Sequence, residues 1–434
     1  MSNTNKKSLF YLIWAILFSI SPLLVTLFNL IKIKINISFF IVVCFFVFII
    51  LYLCRFLIHL KNGYTNTASQ LKSFFTSSMK KPIPILILLC FVFFIVSSLV
   101  NGLNGYTFVF CSYFVILLCF FKLDKSQQNL IIHILIITTT LCCIMGFISI
   151  NNRYVPGFED NILPLTLQFY NPNHSAYIMA TMLILSVGLM QKSKILLFEV
   201  LYSASSLIYI LFLFMNGSFS AITFAFVCLG LMFLFYVIKN KRFPIKICLS
   251  IILMIATCLL IEFIPNLNSY RTNPYNYIIE VIDAINHYFH TNLPTPKMWG
   301  ASREYLTNNN TLNVFTFTER QELISSANSS LSANFKSILF GIGAGSYYDL
   351  APHNMLMSLA LEFGIFIPIC ILAIIILSFI KFFKNKSSHE MYFIFSSLLC
   401  FFLCGMTGSL VPYSGIYMFM LLGLCLRFLI NDKN

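Results

Sequence analysis

Charge is what this sequence has least of. Only 10% of its 434 residues are Asp, Glu, Lys or Arg, whereas a soluble domain carries roughly 25%. With 59% hydrophobic residues as well, no water-soluble core could hide so much apolar surface, and a soluble enzyme is excluded. Paired acidic motifs of the Asp-x-Asp type are missing, as are CxxC pairs and mixed Cys/His spacings, so the chain offers no recognisable seat for a metal. Residues 265–352 contain no cysteine, and the fourteen cysteines fall in or beside apolar runs. That distribution excludes an external disulfide framework and reads as packing. No inverted sequence repeat, the mark of many secondary transporters, is visible.

What is present is a succession of apolar runs, each long enough at about 1.5 Å per residue to cross a hydrocarbon core of about 30 Å. They lie near 9–30, 37–57, 83–100, 105–121, 129–150, 174–190, 195–214, 218–238, 246–264, 354–380, 391–410 and 413–430. The expectation is an all-α polytopic membrane protein of about twelve transmembrane helices, one membrane domain over residues 1–434. The first run follows Lys6 and Lys7 but has no small-residue cleavage site, so it reads as a retained span.

The net charge of +14 would suit a nucleic-acid partner, but its distribution points to topology instead. Twenty of the basic residues fall in segments that share a side if the N-terminus is inside, and eight fall on the other, five of them in one long loop. This asymmetry follows the positive-inside rule, and both termini are expected in the cytoplasm. It leaves no motive for nucleic acid.

Between the ninth and tenth runs, residues 265–352 form a large external loop, and loops of such length are usually functional or folded. Its first part is rich in Asn, Thr and Tyr, with one short helix expected over 276–290. A second helix is expected over TERQELISSANSSLSANF, with Thr318 as N-cap and Glu319 and Glu322 in its first turn, ending before the glycine turn GIGAGS at 341–346. A smaller external loop, residues 151–173, carries Pro and Asn that oppose a long helix. The two loops lie on one side and together could roof a cavity in the bundle.

The residues with chemical potential are TERQEL at 318–323, GIGAGS at 341–346 and HNMLMSLALEFG at 353–364. In that order and spacing they resemble the C-terminal homology region of the O-antigen ligase and Wzy-type polymerase superfamily, with Arg320, Gly341, Gly343, His353, Asn354, Glu362 and Gly364 at matching places. FYNPNHSAY at 169–177 resembles the family's Asn-Pro-Asn entry to an earlier span. The resemblance covers about residues 150–380. It departs where the family often has Ser-Arg-Gly, because this chain reads GSFSA with Phe219 in the arginine's place.

The resemblance implies glycosyl transfer from an undecaprenyl-pyrophosphate-linked oligosaccharide at the external membrane face, with no metal and no cofactor. Guanidinium groups suit a leaving pyrophosphate because they bind its oxygens bidentately and stay charged. Histidine suits an acceptor hydroxyl because its basicity lies near neutrality. The catalytic candidates are His353 and Arg320. The substrate-binding candidates are Arg153, Arg271 and Arg303 in lieu of the absent arginine, with Asn354, Asn171, Asn173 and Glu362. Each also has a plainer reading: His353 as a solvated interfacial cap, Arg320 as a surface ion-pair partner, the glycines as a tight turn, Asn171 and Asn173 as helix caps, and Glu362 as a buried structural group. The implied activity is polymerisation of repeat units into O-antigen or capsular polysaccharide, for which a chain-length regulator would be the protein partner. The alternatives are an O-antigen ligase acting on lipid A core and, in another class, a lipid-linked glycan flippase.

Overall fold

The computed structural model describes residues 3–31, 33, 35–61, 82–148, 172–216, 218–261, 317–346, 352, 354–384, 389–408 and 415–431. Among them are fifteen helices and no strand. In chain order they are α1 (Asn3–Leu30), α2 (Ile37–Lys61), α3 (Pro82–Asn101), α4 (Gly105–Phe121), α5 (Lys125–Ile148), α6 (Pro172–Lys192), α7 (Leu196–Asn216) and α8 (Phe219–Asn240). Then follow α9 (Ile245–Ile261), α10 (Phe317–Ser332), α11 (Phe335–Phe340), α12 (Met355–Phe363), α13 (Phe366–Lys384), α14 (His389–Met406) and α15 (Gly415–Asn431).

Seven of these helices, α1, α2, α3, α5, α6, α7 and α8, are long and apolar enough to cross a membrane. Shorter apolar helices lie within α4, α9, α13, α14 and α15. Their outward faces carry large apolar side chains, such as Leu196 and Ile238, which are 76% and 74% exposed. Water would not tolerate such a surface, and lipid is the solvent that suits it.

The bundle has an enclosed centre. In α6, 89% of the apolar window is buried, against 22% in α2; α6 packs on α7, α8, α9 and α14. Close approach is achieved with small residues: Gly188 of α6 faces the ring of Phe393 in α14, leaving no space for a Cβ. Polar side chains join helices where hydrocarbon offers no alternative partner. The Tyr209 hydroxyl of α7 donates to the Ile136 carbonyl of α5 at 2.9 Å and lies 2.9 Å from the Thr140 hydroxyl.

Two expectations need correction. The run at 354–380 is not one helix, because Gly364, at φ +87°, lies against the carbonyl of Leu339 and divides it into α12 and α13. The helix expected from Thr318 is α10, which ends before the glycine turn as expected but begins at Phe317, so Thr318 lies inside it instead of capping it. Asn334 starts α11 afresh by accepting a hydrogen bond from the Ser337 N–H at 2.8 Å. The expected helix at 276–290, the rest of the long loop up to residue 316 and residues 151–171 lie outside the described residues. All fourteen cysteines are free thiols.

The two ends of the bundle differ in character. At one end are the junctions that follow α4, α6 and α8. There Lys246 bonds the Met190 carbonyl at 2.8 Å and pairs with Glu199 at 2.7 Å, and Lys239 lies 4.1 Å from the Tyr392 ring centre. Burial, reinforced by the nearby Arg427 charge, holds the Lys122 ammonium at this end below the usual lysine range. The opposite end gathers the α3–α4 tip, the starts of α6, α8 and α12, and the end of α14.

Candidate functional site

The glycine turn at 341–346 is built by positive φ angles. Gly341, Gly343 and Gly345 stand at +70°, +114° and +93°, a region that side-chain-bearing residues rarely adopt. Absence of a side chain also permits contact at van der Waals limits. A Cβ on Gly341 would lie 2.5 Å from the Leu361 carbonyl oxygen, and one on Gly345 would lie 2.8 Å from the Tyr106 ring. The turn and its flanks are therefore docked backbone to backbone on the end of α12. The Ile342 N–H donates to the Leu361 carbonyl at 2.6 Å, and the Ile365 N–H donates to the Ile338 carbonyl at 3.0 Å.

The tip between α3 and α4 grips the carbonyls of the same segment. Ser97 Oγ and Asn101 Nδ2 donate to the Phe340 carbonyl at 2.5 and 2.7 Å, and Asn104 Nδ2 donates to the Ala344 carbonyl at 2.6 Å. Asn104 also caps α4, exchanging side-chain and backbone bonds with Thr107 in a capping box. Glu362, 1% exposed in the last turn of α12, accepts the Gly345 N–H on Oε1 at 2.9 Å. Its Oε2 has no hydrogen-bond partner among the described residues.

At the head of α12, Asn354 spends both ends of its amide within the protein. Its Oδ1 caps the helix by accepting from the Met357 N–H at 3.1 Å, and its Nδ2 donates to the Met406 carbonyl at the end of α14 at 3.2 Å. A second polar cluster adjoins that junction. The His174 ring is buried in the first turns of α6, 6.3 Å between centres from Tyr177. The Tyr177 hydroxyl accepts from Ser220 Oγ at 3.4 Å and crowds Gly408, two residues beyond Met406.

Of the residues expected to carry chemistry, the structure brings Gly341, Gly343, Asn354, Glu362 and Gly364 into one assembly around α12. Arg320 lies on α10, which packs on α11 and α12. Asn173 lies in the first turn of α6. His353, Arg153, Arg271, Arg303 and Asn171 are outside the described residues. Not anticipated were Asn101 and Asn104, whose NGLNG spacing between two apolar runs is itself a turn signal, and His174, which stood within a motif already singled out. Among the described residues no three His, Cys, Asp or Glu side chains come together as a metal site. Comparison of the chain with protein-family models and with curated proteins gives no match.

Proposed function

We propose that the chain is a Wzy-type polymerase of a bacterial inner membrane, with about twelve spans, cytoplasmic termini and its reaction at the external face. The observation that carries this reading is the assembly around α12. Residues that resemble the superfamily's C-terminal region are spread over more than forty positions of sequence, from Arg320 to Gly364, yet α10, the glycine turn and α12 pack as one unit. That unit sits at the end of the bundle opposite Lys122, Lys239 and Lys246.

In the proposed reaction, a hydroxyl of the incoming lipid-linked unit attacks the anomeric carbon of the growing chain. His353 takes the hydroxyl proton as the new C–O bond forms. The bond from the anomeric carbon to undecaprenyl pyrophosphate breaks, and Arg320 holds the departing charge together with an arginine from Arg153, Arg271 and Arg303. Phe219, in place of the arginine that the family often carries, favours polymerase over ligase.

Proteoliposomes containing the purified chain and a synthetic undecaprenyl-pyrophosphate-linked repeat unit provide the test. A ladder of longer lipid-linked glycans is expected. Transfer to lipid A core without self-elongation would make the protein a ligase, and passage across the bilayer without a new linkage would make it a flippase.

A further inference from the structure

We propose that Glu362 is a positioning residue, not a substrate ligand: by holding the Gly345 N–H it locks the glycine turn to α12 and sets the helix bearing Arg320 against α12. This role rests on the polymerase reading for its functional consequence, though not for its geometry.

Three observations lead to it. The Ser97, Asn101 and Asn104 side chains of the α3–α4 tip donate to carbonyls of the segment, Phe340 through Ser97 and Asn101, and Ala344 through Asn104. Those bonds fix one edge of the segment and leave the amide edge to another partner. Glu362 supplies it at 2.9 Å, from a helix that already receives the Ile342 N–H on the carbonyl of Leu361.

Secondly, the bond is made at a cost that packing alone would not demand. Glu362 is 1% exposed and leaves Oε2 without a partner among the described residues; an apolar side chain would fill the space without burying an unsatisfied acceptor. The acceptor is what the position provides.

Thirdly, the lock joins the turn that follows α11 to the last turn of α12. α10 packs on both α11 and α12. Asn354 lies at the other end of α12, about 12 Å from Glu362 at 1.5 Å per residue. Freeing the turn loosens the α10 attachment while leaving the cap at Asn354 intact.

The experiment compares wild type, Glu362→Gln and Glu362→Leu as full-length chains in nanodiscs. Two readouts are taken: hydrogen exchange over 341–346, and kcat and KM for elongation of the lipid-linked unit. Glu362→Gln retains an acceptor at Oε1, so exchange and kcat should stay within about threefold of wild type, while Glu362→Leu should raise exchange and lower kcat by about tenfold or more, the scale of one lost hydrogen bond. KM should move less than kcat. If Glu362→Leu does not reach the membrane, Glu362→Asp, which shortens the reach by one methylene, carries the same expectation.

Unchanged exchange in the leucine variant overturns the lock. Loss of kcat in the glutamine variant with the turn still protected overturns positioning, since the carboxyl would then act on substrate. If wild type makes no polymer, the polymerase reading fails by itself, and exchange alone decides whether Glu362 holds the turn.

Discussion

Gly364 and Leu339 meet as backbone against backbone: the position that a Cβ would take on Gly364 is occupied by the carbonyl oxygen of Leu339. Neither partner is the movable end of a side chain, and Gly364 also has φ +87°. Gly364→Ala should therefore destabilise the protein by at least the roughly 1–3 kcal/mol of a strained backbone position. Gly230→Ala is the control, because nothing lies within 4 Å of its Cβ position; inside α8 it should be neutral or stabilising by about 0.5–1 kcal/mol. Thermal unfolding in one detergent checks both, and equal melting temperatures for the two variants would contradict the docked arrangement.

The second prediction concerns the join between α5 and α7. Tyr209→Phe keeps the ring but removes the hydroxyl that reaches the Ile136 carbonyl and Thr140, each at 2.9 Å. A loss of about 1 kcal/mol is expected, the scale of an interhelical hydrogen bond in a membrane protein. Thr140 retains its bond to the Ile136 carbonyl at 2.7 Å and its contact with Ser205 at 2.9 Å, so the loss should not exceed that of the single hydroxyl. A double-mutant cycle with Thr140→Val measures the coupling.

Orientation is tested by labelling. In a cysteine-free background, single cysteines at positions 268 and 308 should react with an impermeant reagent from outside, and one at 241 only after permeabilisation. The reverse pattern would remove the external-face mechanism altogether.

Catalysis is tested at two residues. His353→Ala should reach the membrane at normal levels and lower turnover by roughly 10²- to 10⁴-fold, as for a lost general base. Arg320→Lys keeps the charge but loses the planar fork, so a bidentate pyrophosphate contact predicts a clear defect, whereas an exposed ion pair predicts about 0–1 kcal/mol. Normal product length and rate in both variants would place the site elsewhere.

Helix positions were largely legible because hydropathy reports each helix locally: every apolar run reappears as helix, seven of them long enough to span. The division at Gly364 was hidden, since hydropathy continues across FGIFIP and the cause is the Leu339 carbonyl, a tertiary neighbour. The turn at 341–346 was legible as a turn from its glycines. That its Gly345 N–H meets Glu362, seventeen positions away, was not, because neither pattern nor propensity encodes such a pairing. Asn354 read equally well as a ligand or a cap from sequence; only the bonds to Met357 and Met406 reveal the work its amide does within the fold.

The enclosure of α6 has a consequence for how the chain is made. Of the seven long apolar helices it has the lowest hydropathy, yet it is the most buried, so it is the one whose entry into lipid depends most on neighbours. One of them, α7, follows within a few residues, whereas α14 is synthesised some two hundred residues later. A nascent chain ending near residue 192 should integrate α6 poorly, and extension to residue 216 should improve it, as scored by glycosylation mapping in microsomes. The helix at the centre of the finished bundle is thus the one that its own translation leaves waiting for company.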